Sequence, residues 1–248
     1  MTLTPTLVLA TDDTGGPEIF ASLQGEGPSM GMPVAFVRLS RCNLACTWCD
    51  TPYTWHFEGD NRQHRDGLTF DRQANQVTLT VAEVAARILA LSQNRLVITG
   101  GEPLLQAGKL ADLVALLPGM AIEIETNGTI DPPARLDVAV DQYNVSPKLA
   151  HSGNAAELAL NPRLLDRWAT DPRAFFKFVV ATPADVDEVL ALARRHAIVP
   201  ARLFVMAEGT DSVTLRDREI WLAPLCVEHG LRLSDRLHIH LYGDTRGT

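Results

Sequence analysis

Short apolar runs, each opening into a polar or glycine-rich loop and alternating with helical stretches, limit what this chain can fold into more than any other feature. VAFVRL (34–39) and LVITG (96–100) read as strands. Between them Thr80-Val-Ala-Glu83 forms a capping box ahead of VAARILAL, whose apolar spacing fits a helix. AIEIET (121–126) alternates strictly, with Ile122 and Ile124 on one face and Glu123 and Glu125 on the other. DVAVDQYNVS (137–146), AFFKFVVA (174–181), RLFVMAE (202–208) and RLHIHLYG (236–243) are further strand candidates. Thr182-Pro-Ala-Asp185 supplies an N-cap, a proline at the first helical position and an acidic third residue, and TLRDREIWLAPLCVEHG (214–230) reads as a helix ending at Gly230. Such alternation predicts an α/β fold with a parallel sheet and right-handed crossovers. The strands are too few for a full eight-fold barrel, and the segment around 127–137 is too short for a normal helix. The expected architecture is an incomplete (βα)6-type partial TIM barrel, one domain over 1–248. The polar, aperiodic stretch from Phe57 to Gln76 reads as an insertion loop.

Composition narrows the function. No window approaches eighteen uninterrupted apolar residues, so no membrane span is expected. The N-terminal MTLTPTLVLATDDTGG lacks a basic region and reaches Asp12-Asp13 too soon for a signal peptide, which makes a cytoplasmic address with reduced thiols the default. A net charge of −8 argues against a broad grip on nucleic acid, which needs a basic face.

Parallel folds keep their chemistry in loops at the carboxyl ends of the strands. SRCNLACTWCDT, TGGEPL, TNGT, SPK and MAEGT all fall there. The first holds Cys42, Cys46 and Cys49 in the spacing C-x3-C-x2-C. Two metal readings fit. Three thiolates could ligate three irons of a [4Fe–4S] cluster and leave the fourth open, or they could hold a structural zinc completed by His56. A cytosolic disulfide is not expected, and the three cysteines of this loop are an odd number for one. Cys226, alone in an amphipathic helix, reads as a small buried apolar residue.

The surrounding letters resemble the radical S-adenosylmethionine enzymes: an aromatic residue, Trp48, precedes the last cysteine, and TGGEPLLQ (99–106) is similar to the GGEP motif that contacts the methionine amino group. In that superfamily the open iron binds S-adenosylmethionine, which is cleaved reductively to a 5′-deoxyadenosyl radical. SLQGEGPSMGMPVAFVRLSRCNLACTWCDTPYTW (22–55), with ETNGT (125–129) and SPK (146–148), is similar to the 7-carboxy-7-deazaguanine synthase family of queuosine biosynthesis. The likeness is strongest between 18 and 150.

That resemblance implies a lyase that converts 6-carboxy-5,6,7,8-tetrahydropterin to 7-carboxy-7-deazaguanine with loss of ammonia. It implies that Cys42, Cys46 and Cys49 hold the cluster, and that Thr51 ligates Mg²⁺ through a single hydroxyl, as a cation that keeps its waters allows. Contacts to S-adenosylmethionine would come from Trp48, Cys49 and Asp50, from Gly101 and Glu125, from Ser146, Pro147 and Lys148, and from Met206, Ala207, Glu208 and Gly209. The pterin would meet Leu23, Gln24, Gly25, Arg38, Thr99 and the C-terminal Thr248. Arg38 offers the substrate carboxylate a planar two-pronged fork, where the plain alternative is an arginine paired with a neighbouring acid. No side chain is expected as acid or base, because the cofactor supplies the radical. A homodimer and an external electron donor such as flavodoxin are implied as well. Glu123 and Glu125 would orient the cofactor, and His238 and His240, alternating on the last strand, would line the barrel or an interface. The chain departs from the family in its 57–76 loop and its DTRGT tail. A glycyl-radical activating enzyme and a non-enzymatic zinc-binding module are the competing readings.

Overall fold

A computed structural model describes residues 4–248. The ten strands are β1 (Thr6–Ala10), β2 (Ile19–Leu23), β3 (Pro33–Leu39), β4 (Gln76–Thr80), β5 (Arg95–Gly100), β6 (Ala121–Thr126), β7 (Gln142–Val145), β8 (Ala174–Val180), β9 (Leu203–Ala207) and β10 (Arg232–Ser234). They form one sheet in the order β10-β9-β8-β7-β6-β5-β3-β1-β4, with β2 on β3 beside that path. From β3 to β10 every neighbouring pair is parallel, whereas β1, β2 and β4 join antiparallel. The sheet does not close on itself, as a partial barrel requires.

The helices are α1 (Arg72–Asn75), α2 (Val81–Ala90), α3 (Ala107–Val114), α4 (Ala134–Asp137), α5 (Ala156–Ala159), α6 (Pro162–Thr170), α7 (Pro183–Arg195), α8 (Ser212–His229) and α9 (Leu237–Tyr242). The Thr80 capping box starts α2: the Thr80 hydroxyl accepts from Glu83 N, and the Glu83 carboxylate accepts from Thr80 N at 2.8 Å. At α7 the Asp185 carboxylate accepts from the main chain of Thr182 at 2.8 Å. Between β6 and β7 only the single turn of α4 fits, as the sequence predicts.

The strands sort their residues by the two-residue period. Ile122 and Ile124, Tyr143 and Val145, Phe176 and Phe178, and Leu203 and Val205 face the helices in the main apolar core, with Trp168 from α6 fully buried among them. The opposite face carries Arg38, Thr99, Glu123, Glu125, Asn144 and Lys177, a polar interior whose groups are paired with one another and with neighbouring loops.

Three expectations are corrected. The segment 236–243 is helix α9 rather than a strand. The edge of β9 is taken by the short β10, and the chain then folds over Gly25, whose carbonyl accepts from Leu237 N at 3.0 Å. A Cβ on Gly25 would lie 2.2 Å from His238 Nδ1, so only glycine permits this approach. His238 and His240 therefore do not alternate on a strand. The polar loop ends earlier than Gln76: α1 begins at Arg72, and QVTLT forms β4 against β1. The run 137–146 is extended only over Gln142–Val145, after the α4 turn.

Candidate active site

The loop after β3 brings Cys42, Cys46 and Cys49 to the rim of a cavity of about 210 Å³. All three are free thiols. Burial pushes the Cys42 thiol up to about 12 and the Cys49 thiol up to about 11, and it raises Cys46 too. Unligated, they stay protonated at neutral pH; a soft metal centre is what would draw out the thiolates. Side-chain amides already face the sulfurs. Asn154 Nδ2 lies 3.3 Å from Cys46 Sγ and Asn127 Nδ2 lies 4.0 Å from Cys42 Sγ. Trp48 stacks on His151 with ring centroids 5.2 Å apart, and its buried Nε1 has no protein partner. This donor set fits a thiolate-bound cluster. His56, the fourth zinc ligand considered from sequence, packs at a tilt beside Trp55 and His64 instead and joins no group of converging ligand atoms among the described residues.

The GGEP turn holds the cluster loop from behind. Gly100 adopts φ +140°, and a Cβ there would sit 2.1 Å from Leu39 O; one on Gly101 would sit 2.2 Å from Arg41 O. Both positions need glycine to let the two loops touch. Glu102 is fully buried, and burial raises its carboxyl to about 6 against the donors that lower it. It accepts from Leu104 N at 2.9 Å, Asn127 N at 2.7 Å and Thr126 Oγ1 at 3.0 Å, tying this turn to the TNGT loop. Its work is architectural.

The inner strand face supplies the cavity wall. Glu123 lies beneath it, accepting from Gln24, Ser29 and Asn144. Of the glutamate pair only Glu125 reaches the cavity, where it accepts from Thr99 Oγ1 at 2.7 Å and from Gln24 Nε2 at 3.2 Å. Arg38 is held through Nε by Glu18 at 2.7 Å, and Tyr53 donates to the same carboxylate at 3.0 Å. Among the described residues its two terminal nitrogens have no protein acceptor. The neighbouring acid considered from sequence exists, yet it occupies one edge of the guanidinium and leaves the fork open. Lys148 Nζ donates to Ser146 Oγ at 2.9 Å and lies 5.7 Å from the Trp48 ring centre. Thr51 Oγ1 is 3.7 Å from Cys49 Sγ.

Most residues expected at the site share this cavity: Leu23, Gln24, Gly25, Arg38 and Thr99; Trp48, Asp50, Thr51 and Gly101; Ser146, Lys148, Met206 and Thr248. Pro147, Ala207, Glu208 and Gly209 do not line it. Ala207 belongs to the outer apolar core, because it is one residue out of phase with Met206. The Glu208 carboxylate is turned to Arg65, at 2.6 Å, and to Arg218.

The sequence reading missed a charge network on the cavity floor, buried at Glu26, Lys177 and Arg236 and half-exposed at Asp50. Lys177 on β8 pairs with Glu26, Arg236 pairs with both Glu26 and Asp50, and Glu26 lies 3.9 Å from His238. Burial alone would raise the Glu26 carboxyl, but the surrounding cations outweigh it and hold it well below the usual range. The signal was a lone lysine inside the apolar run AFFKFVVA, a position where an unpaired charge would be costly.

Cysteine loop, glycine turn and polar part-barrel define a class. Residues 37–149 match the Radical SAM superfamily, which implies a [4Fe–4S] cluster and S-adenosylmethionine. A protein of Pyrobaculum aerophilum described as 7-carboxy-7-deazaguanine synthase is 39% identical over 93% of this chain and 95% of its own length. One of Hyperthermus butylicus with the same description is 35% identical over 90% of each chain. The crystal structure of QueE from Escherichia coli shares the fold, with a TM-score of 0.64 at 24% identity over 93% of this chain and 95% of that one. The chain belongs to the 7-carboxy-7-deazaguanine synthase family, and neither the activating-enzyme reading nor the zinc-module reading finds support beside these relatives. No helix among the described residues is long and apolar enough to cross a membrane.

Proposed function

We propose that this chain converts 6-carboxy-5,6,7,8-tetrahydropterin to 7-carboxy-7-deazaguanine with loss of ammonia, in queuosine biosynthesis. The observation that supports it best is one cavity with three thiols on its rim and an open arginine fork on its wall. Cys42, Cys46 and Cys49 would hold the cluster, which with S-adenosylmethionine supplies the radical for hydrogen abstraction. Trp48, Glu125, Ser146 and Lys148 would seat the cofactor against it, with Met206 beneath. The substrate carboxylate takes the free edge of Arg38. Thr99, Gln24 and Glu125, bonded to one another along the inner face, line the place where the flat edge of a pterin would lie, held close to the reactive centre. Glu26, fixed as an anion by Lys177 and Arg236, adds an acceptor on the floor. Thr248, which lines the same cavity, would meet the substrate. An external one-electron donor such as flavodoxin, a homodimer, one domain over 1–248 and a cytoplasmic address complete the reading.

Reconstituted protein with reductant, S-adenosylmethionine and the carboxypterin should yield the deazaguanine by mass spectrometry. Cofactor cleavage without that product would refute the substrate assignment.

Mg²⁺ belongs to the same reading, with Thr51 as its protein ligand beside substrate oxygens and water. Thr51→Ala should lower turnover and blunt its response to added Mg²⁺ while iron content stays intact. An unchanged magnesium titration would place the cation elsewhere.

A further inference from the structure

Residues 57–71 look, in sequence, like a loop with no task. Their two ends are zipped together: Phe57 bridges Phe70, Glu58 N donates to Phe70 O at 3.0 Å, and Phe70 N donates to His56 O at 3.0 Å. Between residues 61 and 69 every side chain is exposed except His64. This imidazole is driven under the cluster loop, where its Nε2 lies 2.8 Å from Cys49 O. Asp66 N points at Nδ1 from 3.4 Å, so Nε2 carries the proton and donates to the Cys49 carbonyl. Next to it, Arg65 N donates to Thr47 O at 2.8 Å, and Arg65 Nη1 reaches Glu208 at 2.6 Å. Arg62 lies over the Trp55 ring at 4.8 Å, and Trp55 meets His64 edge to face at 6.4 Å.

Other parts of the chain hold the cluster loop at Asn43, Ala45, Thr47 N and Asp50, through Thr129, Asn154, Ser152 O and Arg236. Between Cys42 and Thr51 no helix or strand forms, and Cys49 N donates to Cys46 O at 3.2 Å within the loop itself. The carbonyls of Thr47 and Cys49 take their hydrogen bonds from the strap.

We propose that residues 57–71 form a strap over the cysteine loop, and that His64 is a positioning residue which fixes Cys49 through its main-chain carbonyl and shields the cluster side of that loop from dissolved oxidants. The proposal rests on Cys42, Cys46 and Cys49 holding a [4Fe–4S] cluster. His64 touches no sulfur. It acts by setting where Cys49 sits and by keeping the strap closed, and a polar strap without a core of its own depends on such an anchor.

The test compares the unsubstituted protein with His64→Ala and His64→Gln after anaerobic reconstitution with iron and sulfide. Iron content, the electron paramagnetic resonance spectrum of the reduced cluster and the rate of visible bleaching in air are read, with urea unfolding of each metal-free chain as a fold check. His64→Ala should bleach roughly five- to tenfold faster, the effect of losing one buried hydrogen bond and its anchor, with a shifted spectrum. Glutamine, whose amide can donate to the same carbonyl, should recover most of both. Arg65→Ala, at an exposed position, carries the test if His64→Ala does not fold, and should also bleach faster. Equal bleaching rates and spectra across the series overturn the strap alone. No iron in the unsubstituted protein overturns the cluster assignment and the strap with it.

Discussion

Alanine at Cys42, Cys46 or Cys49 is expected to remove the cluster, whereas alanine at Cys226 should leave it whole. The three rim thiols share one loop and one cavity, while Cys226 is buried in α8 within the apolar core, away from that cavity. A cubane needs a thiolate on each liganded iron, and with only three cysteines available none is spare. Each rim variant should therefore fall from about four irons per chain toward none, and turnover should vanish with it. Iron and sulfide analysis of the four variants checks this. Cluster loss in Cys226→Ala with retention in any rim variant would overturn the three-ligand assignment.

Arg38→Ala should cost the enzyme its substrate rather than its cofactor. The guanidinium is held by Glu18 on the inner face of β3, and it lines the cavity without touching the cysteine loop. Removing it leaves a substrate carboxylate unmatched in a partly buried site, a cost of roughly 3–5 kcal/mol. That corresponds to a loss of about 100-fold or more in kcat/KM. The substitution also strands Glu18, which among the described residues keeps Tyr53 and the 3.4 Å contact from Gly247 N, so a lower unfolding midpoint should accompany it. Lysine should rescue in part, because it restores the charge but not the fork. Uncoupled cleavage of S-adenosylmethionine, which needs only cluster and cofactor, should survive. Its collapse alongside deazaguanine formation would remove Arg38 from the substrate's contacts.

Local chemistry made much of this protein legible. The capping residues at Thr80 and Thr182 start helices because their hydrogen bonds close within three or four residues, and AIEIET sorts its faces because a strand has a period of two. The cysteine spacing and GGEP turn were readable for a similar reason: a loop that must hold several groups on one centre keeps them close in sequence.

What depended on distant partners was not legible. Leu237, Ile239 and Leu241 suit a strand as well as a short helix, and only the occupied edge of β9 and the bare backbone of Gly25 decide for α9. QVTLT became β4 because β1 offers an antiparallel edge some seventy residues earlier. The charges on the cavity floor, Glu26, Asp50, Lys177 and Arg236, are far apart in the chain, and each would be costly to bury alone. Their pairing exists only once β8 and the start of α9 converge on the loop after β2. The sequence by itself determined which loops carry the chemistry, because ligand spacing, caps and strand period act over a few residues. The tertiary structure alone decided which side chains line the cavity and which turn away, because burial and ion pairing are settled by neighbours that the chain order does not name.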